Sequence, residues 1–269
     1  MNIACCLILS LCFALCGWTQ DVSDFKTRKL ITGDIVNFTV DNLGFVYLLS
    51  SDNQLKKIGS NGDSIGVFND VKRYGKLYSM DVSNPLKVLL YYKDYCTIVV
   101  LDRFLNNVNV IDLRKQGIFQ ARAIAQSFDN NIWVFDEQES KLKKVGEDGK
   151  ILGETTDLRL AFDTAPNPVR IIDEDRFVYM YDPTKGMYIF DYYGALKNKL
   201  TLLGWRDVQV IGKTIVGRDE HNFFSYEPGT LNLRQRPLPE AISKAEKIRI
   251  MPQAIYVLQP TGLQVYAYQ

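Results

Sequence analysis

Short runs of large apolar residues alternate with polar turns along most of the chain, which is the pattern of consecutive β-strands. The clearest example is residues 41–63, where apolar runs are separated by polar turn residues. The same order of residue types recurs at residues 129–150, so the chain contains an internal repeat. In the two copies the dipeptides Asn61-Gly62 and Asp148-Gly149 predict tight hairpin turns with both central residues at positive φ.

Weaker copies of this unit fill the rest of the sequence. Each copy has a polar marker residue between its second and third strands, and successive markers are about 41 residues apart, close to the ~40–45 residues of a four-stranded propeller blade. The markers are Asp52, Asp94, Asp136, Asp182, Asp219 and Gln259. Six such units occupy residues 20–269 as one domain, so we expect an all-β protein with a single six-bladed β-propeller.

The sixth unit contains only three predicted strands, the last of them at residues 263–266. We expect the N-terminal segment Phe25–Ile31 to pair with this strand and complete the last blade. Such pairing closes the ring and removes an exposed sheet edge. A two-sheet sandwich or an open solenoid with similar strand spacing is the alternative architecture.

The repeat also carries a family resemblance. The pattern Asp-x-x-Gly-x-Val-Tyr-Leu at residues 41–48, followed by Gln54-Leu55-Lys56-Lys57-Ile58 and Gly62, resembles NHL-type and related six-bladed propellers. The resemblance covers all six units in outline and is closest in units one and three. The resemblance implies a fold but no activity, because the Asp and Gly of the motif form the turns between strands.

The amino-acid composition argues against two classes of protein, nucleic-acid-binding proteins and disordered chains. The 269 residues have a net charge of +1, which disfavours a nucleic-acid-binding surface, so no nucleic-acid partner is expected. With 46% hydrophobic and 12% aromatic residues, the chain is too apolar to be disordered.

The first 19 residues form an uncharged, mostly apolar run that is short for a membrane span. We interpret residues 1–19 as a signal peptide, with Gln20 as the first mature residue and no transmembrane segment after its removal. A retained N-terminal membrane anchor is the alternative. Four of the five cysteines lie in this segment, so the mature chain keeps only Cys96, which is expected to behave as a small buried hydrophobe.

The candidate binding residues follow from the fold. The turns between second and third strands emerge on one face of a propeller, so we expect their polar side chains to converge at the mouth of the central channel. These residues are Asp52, Asp94, Tyr95, Asp136, Glu137, Asp182, Asp219 and His221. A ring of carboxylates would suit a cation or a polar ligand, whereas the structural interpretation is that Asp residues cap turns. No catalytic set, metal site or cofactor motif is predicted.

These observations favour a non-enzymatic, exported propeller, periplasmic or extracellular, that binds another envelope protein. The signal-like segment and the Tyr- and Asn-rich mature chain are similar to exported proteins of Bacteroidota. In that setting the chain resembles the propeller plug of the type nine secretion translocon, which implies an outer-membrane translocon as partner. A lactonase- or lyase-type propeller enzyme and a periplasmic sensor for a small ligand or glycan are the alternatives.

Overall fold

The computed structural model describes residues 26–162, 164–230 and 232–267, and it forms six four-stranded antiparallel sheets. Each innermost strand contacts the innermost strands of the two neighbouring sheets, and the contact between the first and sixth sheets closes the ring. The predicted all-β, six-bladed propeller is therefore confirmed. The predicted signal peptide at residues 1–19 lies outside the described residues.

The strands of each blade run outward from the axis in chain order. Blades 1 and 2 contain β2 (Asn37–Val40), β3 (Val46–Leu49), β4 (Leu55–Ile58), β5 (Ser64–Phe68), β6 (Ser79–Asn84), β7 (Lys87–Tyr92), β8 (Thr97–Leu101) and β9 (Asn107–Asp112). Blades 3 and 4 contain β10 (Ala121–Gln126), β11 (Ile132–Asp136), β12 (Lys141–Val145), β13 (Ile151–Glu154), β14 (Arg170–Glu174), β15 (Phe177–Asp182), β16 (Gly186–Asp191) and β17 (Leu196–Leu200). Blade 5 contains β18 (Arg206–Ile211), β19 (Thr214–Arg218), β20 (Asn222–Glu227) and β21 (Asn232–Pro237).

Blade 6 combines both ends of the described chain. Its inner strands are β22 (Lys247–Met251), β23 (Ala254–Gln259) and β24 (Gly262–Ala267), and its outermost strand is β1 (Lys26–Ile31). The register places Leu30 opposite Gln264 and Ile31 opposite Leu263. The predicted closure by the N-terminal strand is confirmed over β1, whereas Phe25 lies outside the described residues.

Apolar side chains fill the spaces between blades. Among the described residues, six buried clusters each join two neighbouring blades. The cluster between blades 1 and 6 contains Phe38 and Val40 from one side and Leu258 and Leu263 from the other. Because both faces of most middle strands are buried, these strands are continuous apolar runs in the sequence.

The two faces of the disc differ. One face, here called the loop face, carries the connections between blades and the turns between second and third strands. It also carries the short helices α1 (Val71–Tyr74) and α2 (Glu240–Ser243) and two 3₁₀ turns, Lys93–Tyr95 and Leu113–Gln116. The opposite face, here called the turn face, carries the remaining turns. Every helix in the described ranges is too short and too polar to span a membrane.

The predicted hairpin turns are present but their conformation differs from the prediction. Only the glycine of each dipeptide has positive φ, 93° at Gly62 and 85° at Gly149. The N–H of Gly62 donates to the carbonyl of Gly59, and a register shift follows in the strand pair. The expectation of two positive φ values was wrong, because these turns end in a glycine bulge in place of a two-residue turn.

Cys96 is buried, as expected, with 2% of its surface exposed. It lies in the turn just before β8, at a left-handed φ of 49°, and not within the strand itself. Its Sγ is 3.7 Å from the hydroxyl oxygen of Tyr91.

Candidate functional site

The eight residues predicted to bind a ligand lie in or beside the turns between second and third strands, all on the loop face. The structure does not bring them together at the channel, because each turn is separated from the axis by the innermost strand of its blade. The cavity along the axis is lined by the inner strands and contains none of the eight. Ligand binding by these residues stays a prediction.

Two of the six candidate carboxylates, Asp52 and Asp219, organise their own turns. Asp52 accepts a hydrogen bond from the Ser50 hydroxyl, which holds the pKa of Asp52 below its ordinary value. Asp219 accepts from the backbone N–H of His221 at 2.7 Å, which lowers the pKa of Asp219. His221 itself is exposed. This is the turn-capping chemistry expected of Asp in loops.

Asp182 is buried and fixes the longest connection between blades. Burial alone would raise its pKa, but the backbone N–H of Asn167 donates to its carboxylate at 2.7 Å and the Thr184 hydroxyl donates at 2.7 Å. These bonds hold the pKa of Asp182 below its ordinary value. The Asp therefore anchors the connection to blade 4 at Asn167 and offers no free oxygen pair to a ligand.

Asp136 is also buried and forms an ion pair in blade 3. Its carboxylate is 2.8 Å from Lys143 Nζ, and Glu139 lies 2.9 Å from the same ammonium. Burial would lower the pKa of Lys143, but the two carboxylates outweigh it and hold this pKa above its ordinary value. Glu137, the next residue in the chain, is half-buried, while Asp94 and Tyr95 are exposed in the 3₁₀ turn of blade 2.

Exposed apolar side chains are frequent on the loop face. Those with more than two-fifths of their surface exposed are Val36, Tyr78, Tyr95, Phe119, Leu160, Val169 and Leu203. They come from the connections that precede blades 1–5 and from one turn of blade 2. The turn face has exposed apolar residues as well, among them Leu43, Leu86, Phe104, Phe128 and Tyr193, but tight turns within blades carry these residues, in place of the longer connections between blades. Longer connections on a rigid scaffold are the usual carriers of recognition.

A cavity of about 240 Å³ lies along the axis. Its lining includes four basic side chains, which are Arg122, Arg170, Lys247 and Arg249. Three acidic side chains also line it, which are Asp81, Asp173 and Glu174. Sequence reasoning did not select any of these as site residues. The available signal was a charged residue inside an otherwise apolar inner strand, as in Ile248-Arg249-Ile250.

Among the described residues, no group of three or more His, Cys, Asp and Glu side chains is placed to hold a metal ion. The carboxylates of the cavity are instead bound to N–H and O–H donors. Asp173 accepts from the Trp133 indole at 2.9 Å and from the Tyr192 hydroxyl at 2.8 Å. The site is thus a channel that has basic groups near one end. Its carboxylates already accept hydrogen bonds from other groups of the protein.

Comparison with known proteins identifies a fold and no family. No protein-family model matches the sequence. No curated protein matches it either. Solved structures are similar to it in architecture, and the three described below have low sequence identity to it.

Virginiamycin B lyase from Staphylococcus aureus is 12% identical and has a TM-score of 0.60, covering 86% of this chain and 79% of the lyase. A chain of the mitotic checkpoint complex is 9% identical, with a TM-score of 0.59 and coverage of 87% and 75%. BamB from Moraxella catarrhalis is 11% identical, with a TM-score of 0.50 and coverage of 87% and 82%. The protein is therefore a six-bladed propeller whose structural neighbours have different functions, so the fold alone does not assign one.

Proposed function

We propose that this protein is an exported, non-enzymatic binding disc that docks another protein of the cell envelope through its loop face. The observation that carries the proposal is the set of exposed apolar side chains on that face. Exposed apolar groups on a rigid surface are typical of protein interaction sites. The blade connections present these side chains on one side of a disc wide enough for an interface of standard size, about 800 Å² per partner.

Three arguments support this proposal, of which the first favours binding over catalysis and the other two concern location and partner. Four of the six candidate carboxylates of the loop face are bound in turns, in an ion pair or in an anchor for a connection. The signal-like segment at residues 1–19 favours export. The resemblance to the plug of the type nine secretion translocon makes an outer-membrane translocon the partner to test first.

The test compares substitutions on the two faces. Phe119 and Leu160 on the loop face are 59% and 85% exposed, so replacing both with Glu leaves the fold intact. Leu86 and Tyr193 on the turn face are 65% and 94% exposed and provide a matched control when both are replaced with Glu. Full-length tagged protein is used to recover partners from native envelopes, and the recovered partner is then purified and its affinity measured.

We expect one envelope protein to be recovered in stoichiometric amount by the wild type and by the turn-face control. We expect the loop-face variant to bind it at least 10-fold more weakly, because buried apolar anchors dominate interfaces and each is worth ~1–2 kcal/mol or more. Equal binding by both variants would show that the loop face is not the interface. Chelator-sensitive turnover of lactones by the purified protein would overturn the non-enzymatic assignment.

A further inference from the structure

The inner strands bring four basic side chains to the channel. Arg122 comes from β10, Arg170 from β14, and Lys247 and Arg249 from β22. Arg170 and Lys247 begin their strands, so they lie at the end of the channel nearest the loop face. Glu174 ends β14 and therefore lies at the opposite end. Positive charge is thus concentrated toward one opening.

These cations lack direct charged partners. Within the described part of the chain, Arg122, Arg170 and Arg249 form no side-chain hydrogen bond and no ion pair. The buried Nε atoms of Arg122 and Arg249 have no acceptor. The buried hydroxyl of Ser79, which lines the same cavity, also has no partner. Native proteins rarely leave buried donors unsatisfied, so such atoms indicate a missing partner.

The fourth cation has only a neutral partner. Lys247 Nζ donates to the side-chain oxygen of Asn37 at 2.7 Å and lies over the ring of Phe38. Burial lowers the pKa of Lys247 to about 8, and the neighbouring charge of Arg170 adds to the effect. Burial likewise lowers the pKa of Arg249 to about 10, again with Arg170 contributing. Arg170, Lys247 and Arg249 therefore lie close together in a poorly solvated space. Asp81, Glu174 and Asp207 attract these cations, but within the described part of the chain none of the three forms an ion pair with them.

The nearby carboxylates are engaged elsewhere. Asp81 accepts from the backbone N–H groups of Gln126 at 2.9 Å and Ser83 at 2.8 Å. Asp173 is held by the Trp133 indole and by hydroxyl donors, as described above. Burial raises the pKa of Glu174, which shifts it toward the neutral form. None of these three carboxylates forms an ion pair with the four basic groups in the described residues.

We propose that the channel binds a small oxyanion, carrying phosphate or carboxylate oxygens, between Arg122, Arg170, Lys247 and Arg249. Guanidinium groups match both kinds of oxyanion because their N–H donors form a planar fork. The cavity of about 240 Å³ is large enough for several water-sized groups, and therefore for a small anion. The anion would enter from the loop face, where the basic groups lie. This site is independent of the proposed partner.

The test uses the full-length protein and two probes, inorganic phosphate and citrate, at constant ionic strength, with chloride as the reference anion. We expect a saturable rise in melting temperature and a titration heat that fits one site per chain. A response to phosphate alone identifies a phosphate-bearing ligand, and a response to citrate alone identifies a carboxylate ligand. No response to either anion beyond chloride overturns the proposal.

Substitutions of the channel arginines test whether the anion binds in the channel. Arg249→Met and Arg170→Met each remove one guanidinium group, and each is expected to weaken anion binding at least 10-fold. Because each removes an unpaired buried charge, both should melt at or above the wild-type temperature in anion-free buffer, so loss of binding cannot be ascribed to unfolding. Arg234→Met, at an exposed position on β21, is the control and should bind as the wild type does. Undiminished binding by both channel variants overturns the assignment to this channel.

Discussion

A buried ion pair within blade 5 also hydrogen-bonds to blade 6 and to the connection before it, and its removal is the most direct test of how these two blades are held together. Arg218, on β19, is 1% exposed, and its Nε donates to the Asp207 carboxylate at 2.6 Å. Its Nη2 donates to the carbonyl of Ala245 at 2.8 Å, in the connection leading to blade 6. Asp207 also accepts from the backbone N–H of Ile248 at 3.0 Å, on the inner strand of blade 6.

Arg218→Met keeps much of the apolar volume but leaves the Asp207 carboxylate without its counter-charge. Breaking a buried pair by removing one partner costs ~3–5 kcal/mol. The Asp207 side chain is 13% exposed, so some solvation remains and the lower part of that range applies. We therefore expect a loss of about 3 kcal/mol in the free energy of unfolding. Arg218→Lys keeps the positive charge but not the planar guanidinium donors. It should therefore lose less of the free energy of unfolding than Arg218→Met does.

Urea unfolding followed by circular dichroism measures this loss. Arg159 forms a similar pair with Asp157 at 2.7 Å on the surface, where solvent screens the charges. Arg159→Met is therefore the matched control and should leave the unfolding midpoint unchanged. A double variant, Arg218→Met with Asp207→Asn, should cost less than the sum of its single variants. An Arg218→Met protein within ~0.5 kcal/mol of the wild type would refute the role given to the pair.

Two further predictions concern the closure of the ring and the charge in the channel. Gly262→Ala places a Cβ 2.5 Å from the Ile31 carbonyl oxygen of β1, at a φ of +127°, and should lower the melting temperature more than Gly212→Ala, where φ is +57° and the space is open. Lys247 binds its proton less tightly in the folded state than in the unfolded state, so the stability in anion-free buffer should rise from about pH 8 to about pH 10.5. Lys247→Met should reduce that rise, as measured by urea unfolding across the pH range.

Each of these predictions has an outcome that would contradict it. Equal melting temperatures for the two alanine variants would show that the close approach of β24 to β1 does not constrain the blade. A pH profile identical in the wild type and Lys247→Met would show that the ammonium is well solvated in the folded protein. Because the second comparison is a difference between two proteins, titrating groups that do not interact with Lys247 cancel. Arg170 and Arg249 interact with Lys247, so the difference reports on this group of charges as a unit.

Much of the fold was predictable from local sequence. The continuous apolar runs of the middle strands recur because every blade packs these strands between two neighbouring blades. Asp-x-x-Gly turns occur at residues 41–44 and 191–194. In the turn at Asp41, for example, the carboxylate accepts from the N–H groups of Leu43 and Phe45, and Gly44 takes a φ of 83°. These interactions span only a few residues. Blade number and closure by β1 therefore followed from the spacing of the repeats.

The candidate site was not predictable in the same way. The markers such as Asp52 and Asp219 repeat because turns need them, and repetition in the sequence does not bring them to the axis. Arg122, Arg170 and Lys247 lie far apart in the chain, on inner strands that follow no shared polar pattern. Sequence alone determined which segments become strands and how many blades they make. Only the closed ring decided which charges meet in the channel, because their proximity depends on all six blades being in place.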